Sequence, residues 1–233
     1  MSLLEVLDQI ETAVERKRLY GAYPATVTDL KDPDSQGRVK VKLPWSPDND
    51  GGSYDVWARL AVLMAGNNRG TWFIPDVNDE VLVVFEGGDA RRPYVVGALW
   101  NGTDTPPETM DGAGNNYKKS IVSRQNIRIT MDDQEGQETL TLKTPQQSIE
   151  IKDGGRSIEI KDANGNTIKM ESAGITITAA SKLTIQTGTM EVNAGMVTVN
   201  AGMSKFSGVV QSDTVITNSV VSASYTPGAG NIW

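Results

Sequence analysis

The residues best suited to chemistry are carboxylates, and they fall in two short stretches. Asp76, Asp79 and Glu80 crowd one turn-like segment, and two carboxylates set across a sugar ring are the equipment of a glycosidase. Asp132, Asp133 and Glu135 form the second stretch. It could attract Ca²⁺ by charge, but it lacks the spacing of a calcium loop. Neither stretch has helpers of the right type. The chain contains no His and no Cys, which removes the usual general base near neutral pH, the commonest metal ligand and all thiolate chemistry. A Ser–Lys dyad is compatible with the composition, yet no spacing marks one. The glycine-rich "EGGDARRP" (86–93) is not followed by the helix pattern a phosphate loop requires. All three stretches read better as turns. The sequence therefore implies no enzyme, no cofactor and no metal site.

The elements that carry these turns explain more. Residues 1–20 space Leu3, Leu7, Ile10 and Val14 on one face of a short helix. Ser2 and Glu5 fit a capping box, and Arg16, Lys17 and Arg18 suit the far end of the helix dipole. The apolar stripe fits either packing on its own domain or docking to a partner. Residues 21–102 predict five short strands near Tyr23–Leu30, Arg38–Trp45, Tyr54–Leu63, Glu80–Phe85 and Pro93–Trp100. "DPDSQG", "PDNDGG", "GNNRG" and "EGGDARRP" separate them. Five strands in so short a span suit a closed barrel of OB type. The net charge of −7 and the scattered basic residues exclude nucleic acid as a partner. Residues 103–120 read as a linker.

From 121 to 222 the pattern changes to short units, each with two alternating apolar residues. "SIEIKD" occurs twice and "VNAG" twice, and the repeat shortens from nine or ten residues to seven. One such unit cannot bury its own side chains. Burying an Ile or Val contributes about 1.5–3 kcal/mol, whereas ordering each residue costs roughly 1–2 kcal/mol. A single-chain β-helix needs several faces per coil, and seven to ten residues supply one. Three chains around a common axis supply three. The expected axial core is Ile149, Ile151, Ile158, Ile160, Ile168, Ile175, Ile177, Leu183, Ile185, Val192, Val197 and Val199. Strands stacked about 4.8 Å apart would make a tapering rod about 50 Å long. The last segment, 223–233, holds Tyr225, Ile232 and Trp233. It reads either as a locally folded tip or as a cap that docks a partner.

At "GTWFIPDVNDEVLVVFEGGDARRPYVVGALWNG" (70–102) the sequence resembles the central spike family of contractile tails, which includes phage baseplate assembly protein V and the VgrG proteins of type VI secretion. "GRVKVKLPW" (37–45), "WARLAV" (57–62) and "SRQNIRITMDDQEGQETLTLKT" (123–144) carry the resemblance further. It implies an all-β homotrimer, with an OB barrel followed by an intertwined trimeric β-helical needle. It implies a membrane-piercing role at the tip of an inner tube, on a virion baseplate or injection particle assembled in a bacterial cytoplasm. A separate hub protein is the expected contact of the N-terminal helix, because only about 20 residues precede the barrel. A PAAR-like protein is an expected partner at the tip, and the target envelope is the substrate of the machine. Some relatives hold iron at the tip through His, and this chain has none. The rival readings are a trimeric β-helical tail fibre or adhesin, and a polysaccharide-degrading β-helix protein.

Overall fold

In "VKVKL" the valines and the leucine alternate with lysines, and the computed structural model, which describes residues 18–47 and 53–224, places them accordingly. Val39, Val41 and Leu43 are buried, while Lys40 and Lys42 face outward. The same period of two buries Val81, Val83 and Phe85 and leaves the residues between them half-covered. Strands β1 (Ala22–Asp29), β2 (Val39–Pro47), β3 (Ser53–Leu60), β6 (Glu80–Phe85) and β7 (Pro93–Ala98) close a barrel in the order β1-β2-β3-β7-β6. All neighbours are antiparallel except β3 and β7, whose parallel pairing of Arg59 with Tyr94 completes the ring. Five strands closed in this way form an OB-type barrel, as the sequence predicts. A small hairpin, β4 (Ala65–Gly66) with β5 (Arg69–Gly70), interrupts the path from β3 to β6. The sequence reading has only a turn there.

One carboxylate organises the β1–β2 connection. Asp32 accepts hydrogen bonds from the backbone N–H groups of Asp34, Gln36 and Arg38, and from the Arg38 guanidinium at 2.6 Å. Arg38 in turn lies 5.9 Å from the centre of the Trp57 ring. The guanidinium beside it holds the Asp32 carboxyl well below the usual carboxylate range, and the backbone donors add to this. A depressed pKa stabilises the fold above the unfolded-state value and ceases to do so as pH falls through the folded-state value. Asp32→Asn should therefore lower the barrel's melting temperature by several degrees near pH 7. The gap to the parent should begin to narrow as pH falls below the ordinary Asp value of about 4 and go on narrowing with further acidification, as read by near-UV circular dichroism.

Beyond the barrel, residues 103–117 form no strand. Then come β8 (Lys118–Val122), β9 (Arg128–Asp132), β10 (Thr139–Lys143), β11 (Ser148–Lys152), β12 (Ser157–Lys161), β13 (Thr167–Glu171) and β14 (Gly174–Thr178). They form one antiparallel sheet in chain order. Consecutive hairpins build this ladder. Its turns stack tightly: a Cβ added at Gly154 would overlap the Gly136 carbonyl oxygen, so glycine is required where the two turns meet.

A second unit begins at Leu183. Among its described residues, 183–224, there is no strand, and every residue is exposed. The backbone bends at Gly188, Gly195 and Gly202, then at Ser207–Gly208, Asp213, Asn218 and Ala223–Ser224. The straight legs thus shorten from seven residues to about five. Several bends are held locally: Thr187 donates to the Thr189 carbonyl at 2.9 Å, Thr217 to that of Ser219 at 3.1 Å and Ser222 to that of Ser224 at 2.8 Å.

Candidate functional site

Every fully packed apolar residue of the described chain lies in the barrel, from Ala25 to Val95. The seven-stranded sheet buries none, although it is rich in Ile and Leu. Its register explains why. Ile121, Ile129, Leu142, Ile149, Ile160, Ile168 and Ile177 stand opposite one another in a column across the sheet. Lys119, Met131, Leu140, Ile151, Ile158, Met170 and Ile175 form the next column. Both columns share one face, because side chains two apart along a strand point the same way. Among the described residues nothing covers that face: Ile149 and Ile151 remain 38% and 40% exposed, and Ile175 70%.

The opposite face is polar. Its central column runs Ser120, Thr130, Thr141, Glu150, Glu159, Lys169 and Thr176. Glu150 and Glu159 stand directly opposite each other, a repulsive pairing. Lys152 relieves it by pairing with Glu150 at 2.7 Å, and Lys169 faces Glu159 across the ladder. One side of the sheet is thus built for water and the other for contact.

The residues expected on an axis divide into two groups. Ile149, Ile151, Ile158, Ile160, Ile168, Ile175 and Ile177 come together in the two columns. Leu183, Ile185, Val192, Val197 and Val199 lie on the unpaired legs of the second unit, 58–70% exposed. Leu3, Leu7, Ile10 and Val14, and Tyr225, Ile232 and Trp233, lie outside the described residues. Ile127 lies just before β9 and outside both columns, although its spacing from Ile129 fits the same alternation. Sequence reasoning passes over Lys119, the one charged member of the columns. The alternation of Lys119 with Ile121 was the available signal.

The carboxylates that opened the question serve the fold. Asp79 accepts the Asp76 backbone N–H at 2.8 Å, Asp76 pairs with Arg124 at 3.4 Å, and Glu80 accepts from the Asn101 amide at 2.8 Å. Asp89 binds Arg91 within its own turn, which holds its carboxyl below the usual range, and Glu86 accepts from Tyr94. Burial pushes the Tyr54 hydroxyl up to about 12. A cleft of 760 Å³ beside the first strands of the sheet is lined by Trp100, Pro106, Met110 and Tyr117 among others. Of its three acidic members, Glu108 pairs with Arg128 at 3.0 Å, Asp111 accepts from the Asn115 amide at 2.8 Å and Asp132 accepts the Gln134 N–H at 3.2 Å. Among the described residues no three carboxylates converge in a way that could hold a metal ion.

Comparison with known proteins places both halves. Residues 23–100 match the family model described as the type VI secretion system/phage-baseplate injector OB domain. Residues 139–204 match the phage baseplate V C-terminal trimerisation domain. The actin cross-linking toxin VgrG1 of Vibrio cholerae is 29% identical over 172 residues, covering 70% of this chain and 15% of its own length. The type VI secretion system spike protein VgrG1a of Pseudomonas aeruginosa is 32% identical over 114 residues, 46% of this chain and 18% of its own. The type VI secretion system spike protein VgrG3 of Vibrio cholerae is 33% identical over 119 residues, 47% of this chain and 11% of its own. The chain thus spans less than a fifth of the length of these curated relatives.

Proposed function

The chain belongs to the phage-baseplate and VgrG-like spike family, and on that premise we propose that three copies associate through the apolar columns to form a membrane-piercing spike. The observation that carries the reading is the uncovered Ile- and Leu-rich face of the sheet. Each copy presents one flat side with water-facing Glu, Lys and Thr behind it. Three such sides close a prism whose interior is dry. Burying each column residue contributes roughly 1.5–3 kcal/mol, and three copies per level multiply that gain. Residues 183–222 have no ladder of their own, so the three chains wind about one another there and satisfy one another's backbone groups. The shortening legs make that part taper.

Function is then mechanical. A closed stack with no lateral edge transmits thrust from an inner tube to an envelope. A separate hub protein joins the spike to its tube through residues 1–20, and residues 223–233 meet a PAAR-like tip protein. The assembled spike sits at the tip of an injection particle.

Sedimentation of the purified chain should give three times 25.1 kDa, with resistance to sodium dodecyl sulfate until heated. A monomer at micromolar concentration would overturn the assembly. In the particle, loss of the chain should abolish depolarisation of target cells. Particles that depolarise targets without it would remove the piercing role.

A further inference from the structure

The one charged residue in the apolar columns is Lys119, at the barrel-proximal end of the sheet, where β8 begins. The register puts it beside Met131 on the same face as Ile121 and Ile129. Its ammonium donates to the Asn116 carbonyl and to the Asp133 carboxylate, both at 2.6 Å. Asp133 belongs to that face too, because it follows Met131 by two residues and its N–H donates to the Tyr117 carbonyl at 3.0 Å. An ammonium has three N–H groups, and these contacts use two. The pair is half-exposed in one chain, at 46% and 60%.

We propose that at the mouth of the spike three Lys119 side chains converge, each giving its remaining N–H to Asp133 of the next copy, so that the three pairs close a ring of alternating charge. This rests on the trimeric reading above. The ring sets the axial register. Columns of Ile, Leu and Met are nearly interchangeable from level to level, so a slip of one level still buries apolar surface. A slip that carries Lys119 into the stack strands an ammonium among Ile side chains, and a buried charge without a partner is costly. A single polar layer fixes register in coiled coils by the same logic.

The absence of native Cys permits a clean test. Lys119→Cys and Ser120→Cys differ by one position and therefore by face. Under mild oxidant, trimeric Lys119→Cys should give disulfide-linked dimers with one free thiol per trimer. Ser120→Cys should give none. Lys119→Glu should lose at least tenfold in trimer yield, and adding Asp133→Lys should restore most of it. A trimeric parent in which Lys119→Cys links no better than Ser120→Cys overturns the ring alone. Lys119→Glu trimers as abundant as the parent do the same. A monomeric parent overturns both the ring and the trimer.

Discussion

Ile151→Asp should yield a protein that is folded in its barrel and unable to trimerise. In the isolated chain Ile151 is 40% exposed, so a carboxylate there would stay hydrated and the sheet would tolerate it. On the shared face the same carboxylate is enclosed. It stands between Leu140 and Ile158 of its own column, with two further copies arriving from across the axis. An ion buried without a partner costs several kcal/mol, and each trimer carries three. The near-UV spectrum of the barrel should be unchanged while sedimentation shows one chain. Glu150→Ala, one residue away on the water-facing side, removes only an exposed pair worth under about 1 kcal/mol and should leave the trimer intact. Ile151→Asp trimers with parental heat resistance would mean that the face is covered by something else.

The second large effect lies in the other half. Leu43 is 1% exposed and packs in a core of ten buried residues among those described. Leu→Ala at such a site costs about 2–5 kcal/mol, a large share of the 5–15 kcal/mol that typically holds a domain together. Leu43→Ala should depress the barrel's calorimetric transition strongly. The trimer transition should stay in place, because no residue of the two columns belongs to that core. If both transitions fall together, the barrel and the sheet are one cooperative unit.

The two halves were unequally legible in the sequence, for physical reasons. Barrel strands announce themselves because one face is buried within the same chain. "RVKVKL" and "EVLVVF" alternate, and the observed strands β2 and β6 follow them. The β4–β5 hairpin was missed because two-residue strands carry no period. In the sheet, apolar spacing located the inward side chains but not how the strands connect. Period two is the same whether a strand pairs with its own hairpin or with another copy. Antiparallel pairing of Ile149 with Leu142 and Ile160 comes from turn geometry: the Thr144 N–H closes the turn before β11 on the Gln147 carbonyl, and the Arg156 N–H closes the turn after it on the Asp153 carbonyl, with Arg156 at positive φ. Lys119 is hidden from apolar spacing, because it is the one charged residue in otherwise apolar columns.

The legs after Leu183 have a consequence for how the molecule is born. A newly made chain can complete its barrel and zip its hairpins alone, at rates set by local contacts. In the proposed trimer the remainder would wait for two siblings, so that ordering of that end would depend on three chains meeting. The Val209–Val210, Val215–Ile216 and Val220–Val221 pairs stay bare throughout the delay. Synthesis from neighbouring ribosomes on one message, which raises local concentration, would shorten that vulnerable interval.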